Sequence, residues 1–250
     1  VLTKLNGSRE ELKGYYRFDQ GSICFFLKVI QKKFLSQQLE ANYFADYVKS
    51  KGVLASTVIS DCPKELDGGM IMLVYEWVDG RYLSSSVKDL CDLGFELGNL
   101  HRVLGQCSRH EEVRSYSEKR LSVLSEIAKK IENNRSKRFI FFEKFNDFFK
   151  KKSFSFDTLL GPSQVIHGDL NAGNIRWTEN GIQFLDFEDT RHSWFPIRVD
   201  IVFVLERLAL INENNDQKAF ENARSILDGY VKNSNQTLFF MKGDLINTLE

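Results

Sequence analysis

The sequence predicts an α+β protein in two lobes, a small strand-rich part followed by a larger, mainly helical one. Three observations predict it. Short apolar or β-branched runs bounded by Gly, Asn or Asp fall at 1–5, 14–18, 23–30 and 70–75, all within the first third of the 250 residues. After Gly80, Leu90, Leu93, Leu97, Leu100 and Leu104 recur at steps of three and four, the apolar stripe of a helix of about five turns. Between the two patterns stands the turn at Asp79 and Gly80, which sets the expected lobes at 1–79 and 80–250.

The strand runs are interrupted once. In 34–49 Leu35, Leu39, Tyr43 or Phe44, and Tyr47 or Val48 stand at helical spacing, so a single amphipathic helix is expected inside the small lobe. Beyond the leucine stripe, 111–152 is rich in Lys, Glu, Ser and Phe with helical periodicity, and 197–213 and 216–232 also read as helices. An island of short strands and turns lies between them, from Val165 to Asp189.

Charge and cysteine content narrow the class. Lysine plus arginine equals aspartate plus glutamate at 34 each, which leaves no basic field to attract nucleic acid or a membrane surface, and neither partner is expected. Cys24, Cys62, Cys91 and Cys107 are widely spaced without a CxxC pair, and with four histidines the raw material for a zinc site or a disulfide framework is lacking. The most apolar late stretch, 201–211, is broken by Glu206 and Arg207 and is too short to span a bilayer. A cytoplasmic protein is the expectation.

The chemistry concentrates in VIHGDLNAGNIRW and the following IQFLDFEDT. An apolar strand ends at His167, glycine allows a tight bend, Asp169 stands five residues before Asn174, and a second apolar strand delivers Asp186. Phosphoryl transfer from a nucleotide asks for such a set: a carboxylate beside the attacking hydroxyl, and hard oxygen ligands that hold magnesium against the phosphates.

These two motifs resemble those of the aminoglycoside phosphotransferase and choline kinase family, relatives of the protein kinases. The resemblance implies a bilobal protein-kinase-like fold, with an antiparallel sheet and one helix in the small lobe. It implies Mg2+ as cofactor, ATP or GTP as co-substrate, and a small-molecule hydroxyl as acceptor, whether aminoglycoside, sugar, choline-like molecule or other amino alcohol. It assigns Asp169 as the base that orients the acceptor hydroxyl, and Asn174 and Asp186 as metal ligands.

The nucleotide half of such a site needs a strand lysine for the α- and β-phosphates and a helix glutamate to hold it. Lys28 interrupts the apolar run ICFFLKVI and needs a counter-charge there, and Glu40 on the predicted helix is the candidate. MLVYEWVDG resembles the family's hinge, where backbone groups of Glu76 to Val78 would meet the purine edge. LNGSREELKGYY has no GxGxxG; Ser8 is the candidate phosphate contact there, and a plain hairpin connection is the equal alternative.

Three further residues read as supporting. His101 follows the leucine stripe and is expected to be packed or hydrogen-bonded. Asp200 reads as a helix N-cap which, by the resemblance, braces the catalytic loop, and His167 is expected to support the same loop. A protein kinase is disfavoured, because HGD replaces HRD and no APE follows Asp186. A catalytically inactive nucleotide-binding scaffold is the alternative from another class, and no missing chemical residue supports it. Acceptor hints are compositional only: Glu188, Asp189, Glu206 and Glu213 as an acidic wall, or Trp177, Trp194 and Phe195 as a stacking surface.

Overall fold

A computed structural model describes residues 1–5, 14–59, 63–133, 162–210 and 215–234. Its first elements are strands β1 (Leu2–Lys4), β2 (Gly14–Gln20) and β3 (Ile23–Gln31), helix α1 (Leu35–Ser50), and strands β4 (Lys64–Leu66) and β5 (Met70–Glu76). These strands form one antiparallel sheet in the order β1-β2-β3-β5-β4. The near-continuous apolar run of β3 is explained by its central place, with β2 on one side and β5 on the other. Its register sets Lys28 opposite Tyr15 and Leu73.

Past the turn at Gly80 come α2 (Val87–Leu104) and α3 (His110–Asn133), then the short strands β6 (Ser163–Val165), β7 (Ile175–Thr178), β8 (Gly181–Phe184) and β9 (Trp194–Pro196). Helix α4 (Arg198–Val204) runs directly into a π-helical turn, Leu205–Leu210, and α5 (Asp216–Asn233) closes the described chain. The helical reading of 197–213 therefore holds to Leu210 but changes its winding; residues 134–152 lie outside the described residues.

The leucine stripe does what its spacing implies. Leu90, Leu93, Leu97, Leu100 and Leu104 are all buried, and with Ile226 and Tyr230 of α5 they build the main core. The two helices approach so closely that only glycine fits at the crossing. A Cβ on Gly94 would stand 1.9 Å from the Ile226 carbonyl oxygen, and one on Gly229 would stand 1.9 Å from that of Cys91. Ser86 caps α2 by accepting from the Asp89 N–H at 3.2 Å.

Helix α1 belongs to both halves. Its Phe44, Ala45 and Val48 join the main core, while Ile30, Ile71, Leu73 and Tyr75 of the sheet form a smaller cluster above it. The β7–β8 hairpin is tied to the first part from two sides: the Phe184 N–H donates to Leu54 at 2.9 Å, and Arg81 and Trp177 exchange backbone bonds at 3.0 and 2.9 Å. A cleft of about 540 Å³ remains between sheet, hinge and hairpin. No helix among the described residues is long and apolar enough to cross a membrane.

Candidate active site

The loop after β6 is shaped by one glycine and one buried carboxylate. Gly168 has φ +87°, and a Cβ there would meet the Ser193 hydroxyl at 2.1 Å, so both conformation and space exclude other residues. Asp200 is fully buried; its Oδ2 accepts from the His167 N–H at 2.8 Å and its Oδ1 from the Gly168 N–H at 2.9 Å. His101 Nε2 reaches the same Oδ2 at 3.1 Å, and its Nδ1 meets the Tyr230 hydroxyl at 2.9 Å. Burial would raise the Asp200 carboxyl, but the His101 hydrogen bond, electrostatic attraction to the two nearby imidazoles and the Gly168 N–H outweigh it, so it is held below the usual range.

Asp200 thus braces the loop, and His101 is a packed, hydrogen-bonded helix residue. One detail is corrected: Asp200 is not an N-cap. Ile197 holds that position, and Asp200 is the third residue of the helix, with its carboxylate spent on the loop. His167 Nε2 donates to the Leu185 carbonyl at 3.1 Å while Nδ1 accepts from the Asp169 N–H at 3.3 Å, which ties the two motifs together.

This scaffold positions Asp169, Asn174 and Asp186. Asp169 Oδ2 accepts from the side-chain amides of Asn171 at 3.0 Å and Asn174 at 3.1 Å, and Asn174 also donates to the Asp169 carbonyl at 2.9 Å. The amide nitrogen of Asn174 is therefore committed to the loop, which leaves its carbonyl oxygen as the group on offer to the cleft it lines. Asp186 is the only non-glycine residue with positive φ among the described residues, at +58°, a strained conformation of the kind found at functional sites. Asn174 and Asp186 share the cleft with Lys28, Glu76 and Val78.

Lys28 is buried, and its ammonium is paired with Glu188 and lies 3.9 Å from Asp186. The expected Lys28–Glu40 pair is not formed. Glu40 instead holds Arg191 at 3.2 Å and lines a separate, shallow hollow with Arg109. Helical phase is the reason: Gln38 and Asn42 face the cleft, and Glu40 lies about 200° round α1 from either. The two cleft-facing residues are uncharged and bond the buried Tyr75 hydroxyl at 3.2 and 2.8 Å. Burial is the main reason that the Tyr75 hydroxyl titrates well above the usual tyrosine range.

In the hinge, Val78 lines the cleft, and its N–H and C=O have no hydrogen-bond partner among the described residues. Ser8 lies outside the described residues. Several residues of the two acceptor hints are engaged elsewhere. Glu188 is spent on Lys28, Asp189 on Arg120 at 3.2 Å and His192 at 3.3 Å, and Glu213 is outside the described residues. The Trp177 ring is in cation–π contact with Arg81 and Lys88.

Sequence reasoning missed Glu188 as the lysine's partner, though the EDT after DF was the signal. It also missed Arg207, whose guanidinium stands 4.0 Å from Asp169 Oδ1, two helical turns beyond Asp200.

A family model described as the phosphotransferase enzyme family, APH, matches residues 6–224. The chain belongs to this family. It is a small-molecule phosphotransferase of the protein-kinase-like fold. An aminoglycoside-3'-phosphotransferase of type VIII is similar over 99% of this chain and 92% of its own, with a TM-score of 0.62 at 17% identity. Spectinomycin phosphotransferase in complex with ADP and spectinomycin covers 99% and 78%, with 0.60 at 15%. A putative fructosamine-3-kinase from Haemophilus somnus covers 94% and 79%, with 0.54 at 16%. No curated protein matches the phosphotransferase.

Proposed function

We propose that this phosphotransferase moves the γ-phosphoryl group of ATP or GTP to a hydroxyl of a small molecule in a magnesium-dependent reaction, with Asp169 as the residue that orients the hydroxyl. The observation that carries the reading is the pairing of a half-occupied carboxylate with a strained one. Asp169 has Oδ2 held by two amides and Oδ1 without a hydrogen bond among the described residues, beside a cleft walled by Lys28, Asn174 and Asp186. Neighbouring structures bind ADP, AMP or an ATP analogue in the corresponding fold, which supports a nucleotide co-substrate.

Asn174 and Asp186 fit a magnesium ion by donor chemistry: one amide oxygen freed by its committed nitrogen and one carboxylate, both hard oxygens. Bound there, the ion would offset phosphate charge as the transfer proceeds. Lys28 would bind the α- and β-phosphates, exchanging its present carboxylate partners for phosphate oxygens. Val78 would offer its backbone pair to the purine edge. The acceptor oxygen forms a bond to Pγ, the bond from Pγ to the β–γ bridging oxygen breaks, the nucleoside diphosphate leaves, and the hydroxyl proton passes to Asp169 Oδ1 and on to solvent. Catalysis is positioning and electrostatics.

Calorimetry with ATP and GTP, with and without magnesium, tests the reading. Binding that strengthens with magnesium is expected, and Asp186→Ala should remove the magnesium-dependent part. No nucleotide binding at saturating magnesium would overturn it.

A further inference from the structure

We propose that Arg207 is an acceptor-recognition residue, and that the acceptor carries an anionic group, a carboxylate or a phosphate ester, close to the hydroxyl that is phosphorylated. The proposal rests on the phosphotransferase reading above and narrows its acceptor. Arg207 Nη1 is 4.0 Å from Asp169 Oδ1, beyond hydrogen-bond length, and its guanidinium otherwise lies 5.5 Å from the Phe203 ring. The side chain is 41% exposed. Among the described residues none of its five donors makes a hydrogen bond.

Arginines that serve this fold structurally look different. Arg81 closes on Asp89 at 2.6 Å, Arg109 on Glu112 at 2.6 Å, and Arg191 on Glu40 at 3.2 Å. Each of those carboxylates is engaged directly. Arg207 instead stands off the one carboxylate oxygen that the reaction needs free, at a distance that leaves room beside it. Its placement is fixed by the fold: it follows Asp200 by seven residues, about two helical turns, so the element that braces the loop also carries the guanidinium towards it. The segment is a π-helical turn, a winding common at functional sites.

An acceptor whose hydroxyl sits on Asp169 Oδ1 must present its neighbouring substituent to Arg207. A guanidinium there favours a carboxylate or phosphate, which it bonds in a bidentate fork, and disfavours an ammonium. It also offsets the repulsion that an anionic acceptor would feel on approaching the γ-phosphate. The group transfer itself is unchanged: the acceptor oxygen–Pγ bond forms, the bond to the bridging oxygen breaks, and the proton leaves through Asp169.

The experiment measures ADP or GDP release with matched acceptors: glycerol, glycerate and glycerol 3-phosphate; glucose, gluconate, glucose 6-phosphate and glucosamine; and kanamycin and spectinomycin. The wild-type protein should prefer the carboxylate or the phosphate member of a set, and which of the two wins identifies the anion. Arg207→Gln should raise KM for that member by roughly 10- to 100-fold, more than it lowers kcat, and Arg207→Lys should restore part of the preference. Mg-AMP-PNP affinity measured alongside shows that each variant is folded. If Arg207 merely held Asp169 in its charged form, the Gln variant would lower kcat for charged and neutral members alike and displace the pH profile, and the proposal falls. It falls equally if neutral or cationic members are preferred, or if protein loaded with Mg-AMP-PNP binds no anionic member. Failure to bind Mg-AMP-PNP at all would instead sink the phosphotransferase reading.

Discussion

At the scale of single residues, the site separates groups that are fixed from groups that are free. Asp169 has one oxygen of each kind, and the free one is where a transition-state role would lie. Asp169→Asn should lower kcat by roughly 10²- to 10⁴-fold while Mg-nucleotide affinity stays near its parental value, as a comparison of turnover with calorimetric binding will show. An aspartate that only shaped the turn would tolerate asparagine, so near-parental turnover would remove the assigned role. These residues stand out in the sequence because HGDLNAGN and FLDFED are contiguous and supply hard oxygen groups. The expected Lys28–Glu40 pair is not formed here, and a helix glutamate near a strand lysine says nothing of which way the helix is rotated. Half a turn of α1 separates its cleft-facing residues from Glu40, which pairs with Arg191.

At the scale of elements, two joints hold the site in place. The first is the crossing of α2 and α5, where Gly94 and Gly229 bring backbone against backbone. Gly94→Ala must push the helices apart, and the expected cost is about 3 kcal/mol, readable as a lower denaturant midpoint; a loss below about 0.5 kcal/mol would mean that the crossing adjusts freely. The second joint is Asp89, buried in the first turn of α2, which accepts from both Arg81 terminal nitrogens at 2.6 and 2.9 Å and from the Ser84 N–H at 2.8 Å. It anchors the chain just past the hinge. Asp89→Ala should cost about 1–3 kcal/mol and weaken nucleotide binding through the displaced hinge, measured by chemical denaturation beside calorimetry. The leucine stripe announced α2 in full, whereas the glycine crossing was silent, since close approach depends on a partner more than a hundred residues away.

At the scale of the whole molecule, pH dependence joins these parts. The Arg81 guanidinium holds the Asp89 carboxyl far below the usual carboxylate range, and Asp200 is also held low. Both carboxyls bind their proton less readily folded than unfolded, so their contribution is fully present at neutral pH and is lost as pH falls below about 4. Acid denaturation followed by circular dichroism should therefore begin in that range, and Asp89→Asn should be less stable at neutral pH but lose less stability on acidification. An acid limb as steep as the parent's would exclude Asp89 as a contributor.

The sequence by itself determined the order of strands and helices and the contiguous motifs in which Asp169, Asn174 and Asp186 stand, because periodicity and contiguous motifs are local properties. Tertiary structure alone decided the partner of Lys28, the outward face of Glu40, the distance of Arg207 from Asp169 and the glycine contact of α2 with α5. Each of these depends on how one element is rotated and pressed against another, and that follows from burying the apolar stripe of α2 and one face of α1 in a shared core.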